Sequence, residues 1–172
     1  MLDGHGRFLR ESKRGLPTPE AAFFKLTGLA ALFPKHPRLG AYHAGHLDPE
    51  SDHDVAILAG AFMWVRAQVA QEIGLLDERY FMYGEDIDWS YRILLAGYRN
   101  RYLGTNPIIH FKGESTQRES MRFVRMFYGA MMEFAGRYYG TSGSLWLHII
   151  LRIGIAGRAT LSVLRRWSVL LS

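Results

Sequence analysis

The chain has 172 residues, 48% hydrophobic and 22% charged, a make-up that fits a folded globular domain with a real core and excludes an intrinsically disordered segment. With no cysteine, disulfide frameworks, thiolate metal sites and thiol catalysis are excluded, in mild support of a reducing compartment. Lysine and arginine number 21 against 16 acids, a net charge of +5, which suits an anionic partner such as nucleic acid, a phosphorylated ligand or an acidic membrane face.

Residues 1–14 are polar and basic and lack the apolar run of a signal peptide, so export is not expected. Pro17-Thr18-Pro19 then reads as an extended entry into a helix over about 20–33, with Thr18 as cap and Pro19 in the first turn. Pro34 and Pro37 end it. Residues 40–54 read as a loop holding His43, His46, Asp48, Asp52, His53 and Asp54. Their irregular spacing matches no helical or strand frame, so solvated loop residues are expected rather than a metal site.

The unbroken apolar run Ala56 to Val65 predicts a strand buried on both faces, interrupted at Gly60 by a bulge, a packing contact or a close approach of ligand. A short helix over 67–73 follows, closed by Gly74. The stretch Phe81-Met82-Tyr83-Gly84-Glu85-Asp86-Ile87-Asp88-Trp89 then opens a helix with three acids in its first turn. Ile87, Tyr91, Leu94 and Leu95 recur on one apolar face, and Gly97 is a natural stop. Asp88 and Arg92 pair at i, i+4 on the outer side, worth roughly 0.3 to 0.5 kcal/mol. Glu85 and Asp86 stand where free N–H groups and the helix dipole favour anions, and for two such acids taken alone capping is the expected role rather than catalysis.

Short strands over 98–103 and 108–111 come next, the second placing His110 at its end beside the loop Lys112-Gly113-Glu114-Ser115-Thr116. An ordinary half-buried histidine is the alternative to a functional one. Thr116-Gln117-Arg118-Glu119 has capping-box form and opens a helix whose stripe of Met121, Val124, Tyr128, Met131, Ala135 and Tyr138 is expected to be core. Residues 144–172 are strongly apolar but carry Arg152, Arg158, Arg165 and Arg166 within an arc of about 140°. That predicts a basic amphipathic tail over 141–172, lying at an anionic membrane surface or packing on protein.

Taken together, Gly60-Ala61-Phe62-Met63, the string Gly74-Leu75-Leu76-Asp77-Glu78-Arg79-Tyr80-Phe81-Met82-Tyr83-Gly84-Glu85-Asp86-Ile87-Asp88, Ile108-Ile109-His110 and Lys112-Gly113-Glu114-Ser115-Thr116 resemble the second half of bacterial family 2 glycosyltransferases of the rhamnosyltransferase-like kind. The resemblance implies an α/β chain. Residues 1–140 would form the acceptor-side half of a GT-A fold, with a few buried strands and C-terminal helices. It implies Asp86 as the general base for an acceptor hydroxyl, Glu85 as its orienting neighbour, and His110 as a ligand of a divalent metal, Mg or Mn. Gly60 and Ala61 would lie near the sugar, and Lys112 and Arg118 near diphosphate oxygens. The partners implied are a nucleotide-sugar donor, a glycan or lipid-linked acceptor and the inner face of the plasma membrane, with no nucleic acid.

Asp52-His53-Asp54 and Asp86-Ile87-Asp88 both have Asp-x-Asp form, but neither sits where the family carries its donor-binding motif, and no βαβ succession precedes residue 55. The donor-binding half is therefore expected on another chain or in a lost segment. A catalytically inactive, membrane-attached interaction module is the competing expectation.

Overall fold

The structure, a computed structural model, describes residues 1–111 and 121–140 and six positions between 149 and 160. It is a mixed helix-and-strand chain with two compact units, residues 1–79 with 85–112, and residues 80–84 with 113–172.

In the first unit, Thr18 caps α1 (Pro19–Thr27), its Oγ1 accepting from Ala21 N–H at 3.2 Å. The expected helix over 20–33 is broken: Gly28 takes a left-handed φ of 85° and separates α1 from α2 (Leu29–Leu32). Strand β1 (Lys13–Arg14) pairs antiparallel with β3 (Ile57–Leu58), and β2 (His53–Val55) with β4 (Asn100–Tyr102). One segment, 53–58, thus feeds two small sheets. Lys13 is nearly fully buried, its ammonium donating to the Ala44 and Leu47 carbonyls at 2.7 and 3.0 Å, which pins the 40–47 loop to β1.

The apolar run 56–65 is not one buried strand. Pairing stops at Leu58, the chain turns at Gly60, and Phe62 and Trp64 are 54% and 86% exposed. Past Leu58 the backbone amides serve a side chain instead of a ladder, because Gly60 N–H donates to Asp86. The strand expected over 98–103 shortens to β4, and that over 108–111 to a single bridge from Ile109 to Leu2.

Helices α3 (Ala67–Ile73) and α4 (Glu85–Leu95) stand where the periodicity puts them. At the end of α4, Gly97 N–H bonds Leu94 O and Tyr98 N–H bonds Ile93 O around a φ of 84°, the paired closure that glycine permits. The buried face of α4 differs from the expected one: Asp88, Ser90 and Ile93 are inside, while Leu95 is exposed. Polar residues can line that face because their partners are backbone. Leu58 N–H donates to Ser90 Oγ, and Asn100 Nδ2 donates to the Ser90 and Ala56 carbonyls. Asp88 is not on the outer side either: it is 0% exposed and accepts from Arg92 Nε at 2.8 Å. Arg92 also donates to the carbonyls of Ile73 and Leu75, and Trp89 Nε1 to that of Gly74, so α4 ties down the end of α3.

In the second unit, α5 (Met121–Tyr139) buries Phe134 and Ala135, and Tyr83 meets Phe127 edge to face at 6.0 Å. A Cβ on Gly84 would lie 3.0 Å from the Tyr80 ring and 3.1 Å from Ala130, so only glycine fits there. The capping box over 116–119, and Lys112 and Arg118, lie outside the described residues, as does most of the 141–172 tail. No helix among the described residues is long and apolar enough to cross a membrane.

Candidate active site

The first turn of α4 brings two carboxylates to the edge of the β1–β3 pair. Asp86 Oδ2 accepts from Arg14 Nη2 at 2.5 Å and from Gly60 N–H at 3.0 Å. Asp86 Oδ1 accepts from Ile87 N–H at 2.8 Å. Arg14 reaches this point because its place in β1, opposite Ile57, lets the same Nη2 also donate to Leu58 O at 3.2 Å. The ion pair is largely withdrawn from water, the two side chains being 12% and 15% exposed.

An ionised carboxylate has about four lone-pair positions. Both on Oδ2 are taken, and one on Oδ1 is taken, which leaves one acceptor position on Oδ1. That single position is where a hydroxyl proton can go. Glu85 beside it is half-buried, with Oε2 shielded from solvent and without a hydrogen-bond partner among the described residues. Burial pushes its carboxyl above the ordinary range; the Asp86 charge adds to this, against its own backbone amide and Arg14. A buried acceptor left without a donor is costly, of the order of 1 to 3 kcal/mol. Two adjacent carboxylates in unlike surroundings, one clamped by a cation and one desolvated, form an arrangement in which proton-accepting and hydroxyl-orienting roles separate.

The expected site residues are thus partly assembled. Gly60 and Asp86 touch, and a Cβ on Gly60 would stand 3.0 Å from Asp86 Cβ, so the space above the glycine is filled by Asp86 itself. Ala61 follows on an exposed turn. His110 stands on the bridge to Leu2, its N–H donating to Leu2 O at 2.8 Å. Among the described residues no three His, Asp or Glu side chains gather in a metal-binding group, at His110 or elsewhere. The acids of the 52–54 string are committed elsewhere. Asp52 accepts from Thr105, and Asp54 pairs with Arg99 and Arg101 across the β2–β4 pair.

Arg14 is the site residue the sequence reading missed. A two-residue strand has no periodic signal, and a Lys-Arg pair in a basic segment looks like surface. His43, read as a loop residue, is also part of this neighbourhood. It is half-buried with Nδ1 unpartnered among the described residues, and it is pushed down to about 4 by burial first, then by the charges of Lys25, Arg10, Arg14 and Lys13. An apolar-walled groove of about 840 Å³ runs past Leu58, Ala59, Phe62, Trp64 and Tyr98, but neither Glu85 nor Asp86 lines it.

No family model matches the chain, and no solved structure matches it. It is 36% identical over 91 residues to the N-acetylglucosaminyl-diphospho-decaprenol L-rhamnosyltransferase of Mycobacterium tuberculosis, alike in strains CDC 1551 / Oshkosh and H37Rv, a match that covers 53% of this chain and 29% of that protein. It is 43% identical over 61 residues to the rhamnosyltransferase WbbL of Escherichia coli (strain K12), covering 36% of this chain and 23% of the relative. The matched stretch therefore spans less than a third of these curated relatives. Over about half its length, the chain is homologous to bacterial rhamnosyltransferases.

Proposed function

We propose that this chain carries the acceptor-activating part of a glycosyl transfer, moving a sugar from a nucleotide-sugar donor to a lipid-linked or glycan acceptor of the cell envelope. The reading includes a family 2, GT-A fold. The observation that carries it is the Asp86 carboxylate, fixed by Arg14 and the Gly60 amide with a single acceptor position left on Oδ1. The relatives' names supply the substrate class.

In this reading the acceptor hydroxyl gives its proton to Asp86 as its oxygen attacks the anomeric carbon. The bond from that carbon to the donor's diphosphate breaks, the nucleoside diphosphate leaves, and the configuration inverts. Such general-base assistance supplies typically 10²- to 10⁴-fold. Glu85, beside Asp86 in the first turn of α4, orients donor or acceptor. Ala61, on the turn after Gly60, borders the sugar, and Lys112 and Arg118 are assigned by the resemblance to the diphosphate oxygens. A divalent ion belongs to the same reading: it would offset charge on the diphosphate, with His110 as one ligand and the others from outside the described residues. Donor binding comes from a further segment or another chain, and the basic tail holds the protein at the inner face of the plasma membrane.

The test is transfer of labelled sugar to a diphospholipid-linked acceptor by this chain co-expressed with a donor-binding half. Transfer that needs both parts is the expected result, and none in any combination would overturn the reading. His110→Ala should raise the metal concentration for half-maximal transfer; an unchanged metal titration removes His110 from the site. Deleting 144–172 should release the chain from anionic vesicles, and undiminished binding would contradict the membrane assignment.

A further inference from the structure

Arg14 lies outside every motif of the sequence, yet the Asp86 carboxylate rests on it. Its Nη2 spans from the backbone of β3, at Leu58 O, to Asp86 Oδ2, and the Gly60 N–H meets the same oxygen from the following turn. The contacts come from three places in the chain that are far apart in sequence, so the carboxylate cannot rotate without breaking at least two bonds. A charge-assisted bond at 2.5 Å between groups so withdrawn from solvent is the strongest of them.

The geometry points to Arg14 as the positioning residue of the proposed transfer: it clamps Oδ2 and, among the described residues, leaves Oδ1 as the atom of Asp86 open to a hydroxyl. This rests on the transfer reading above. Two carboxylates on adjacent residues repel each other's ionised forms, and a single guanidinium stabilises the one it touches. Arg14 touches Asp86 and only influences Glu85 from a distance, whose carboxyl is raised by burial and by its neighbour's charge. The gain is a fixed attack geometry, whose loss by as little as 1 Å can cost about 100-fold in rate.

The charged groups bearing on this pair are few. Glu85 faces it from α4. On the β1 side, Arg14 shares the field at His43 with Lys25, Arg10 and Lys13, and Lys13 is itself held by the carbonyls of Ala44 and Leu47. Arg14 Nε is buried and has no partner among the described residues.

The experiment measures kcat and KM per folded chain in the co-expressed transfer system for the wild type, Arg14→Gln and Arg14→Lys, beside NMR of the Arg14 side chain in the full chain. Arg14→Gln should lower kcat about 100-fold with KM for the acceptor nearly unchanged, because the carboxylate is free to turn out of line. Arg14→Lys should stay about 10-fold down in kcat, because one ammonium cannot hold both Leu58 O and Oδ2 as the guanidinium does. By NMR, rotation of the Arg14 guanidinium should be slowed in the wild type and released in Asp86→Asn. A role confined to stability would lower the yield of folded protein and leave kcat per folded chain at the wild-type value, which overturns the proposal. Slowed guanidinium rotation without any transfer overturns the transfer reading and leaves the clamp, whereas free rotation in the wild type overturns the clamp. Should Arg14→Gln not fold, Arg14→Lys carries the test: a kcat at the wild-type value overturns the proposal.

Discussion

Arg92→Ala tests how the α4 helix is held, and the structure sets the size of the effect. On an exposed helix surface an Asp and an Arg at i, i+4 contribute roughly 0.3 to 0.5 kcal/mol. Here Asp88 is 0% exposed and Arg92 16%, so removing the guanidinium takes a charge-assisted partner from a carboxylate that water cannot reach. Losing such a bond costs about 1.5 to 3 kcal/mol. The carbonyls of Ile73, at the end of α3, and of Leu75, just after it, also lose donors at 2.6 Å. A domain of this size is stable by about 5 to 15 kcal/mol, so the variant loses a sizeable share of the total. With a urea slope of about 1 to 3 kcal/mol per molar, the unfolding midpoint should fall by about 1 M. Equilibrium urea denaturation followed by tryptophan fluorescence reads this directly, since Trp89 bonds the Gly74 carbonyl beside the pair. A destabilisation below about 1 kcal/mol would refute the reasoning, for the pair would then behave as an exposed one.

Gly60→Ala places a Cβ 3.0 Å from Asp86 Cβ, so transfer should fall about 10- to 100-fold while stability drops by about 1 to 3 kcal/mol; an alanine variant as active as wild type would show that Asp86 needs no such contact. Asn100→Ala removes the donor shared by the Ala56 and Ser90 carbonyls and should cost about 1 to 3 kcal/mol in urea melts, with no change expected if water takes its place. His43 titrates at 6.5 unfolded and at about 4 folded, so below pH 6.5 the unfolded chain binds the proton that the folded chain refuses. Its contribution is whole above pH 6.5 and is lost progressively as pH falls towards 4. Thermal melts should therefore show that His43→Phe loses less stability than wild type between pH 7 and pH 4, and parallel losses would contradict this. The difference is about 1 to 2 kcal/mol once discounted for the imidazole's partial solvent access.

What was legible in the sequence was local. The Thr18 cap, the limits of α3 and the glycine closure at Gly97 each depend on a few neighbouring residues, and each stands as read. What was not legible depended on partners distant in the chain. The run 56–65 looked like a two-sided strand because it is apolar throughout, but pairing with β1 lasts two residues before the Gly60 amide turns to Asp86. Periodicity assigned α4 an apolar face, whereas Ser90 is buried by bonds from Leu58 and Asn100, and Asp88 by its pair with Arg92. At the candidate site, Glu85 and Asp86 are singled out by the string around them, while Arg14, 72 residues away from Asp86, has no local signal at all.

The most direct test of the central claim is the transfer rate of Asp86→Asn in the co-expressed system, with its urea midpoint measured beside it. Asparagine keeps the shape but cannot take the proton, so the account predicts a rate lower by about 10²- to 10⁴-fold in a protein that still folds. A folded Asp86→Asn variant transferring sugar at the wild-type rate would contradict it.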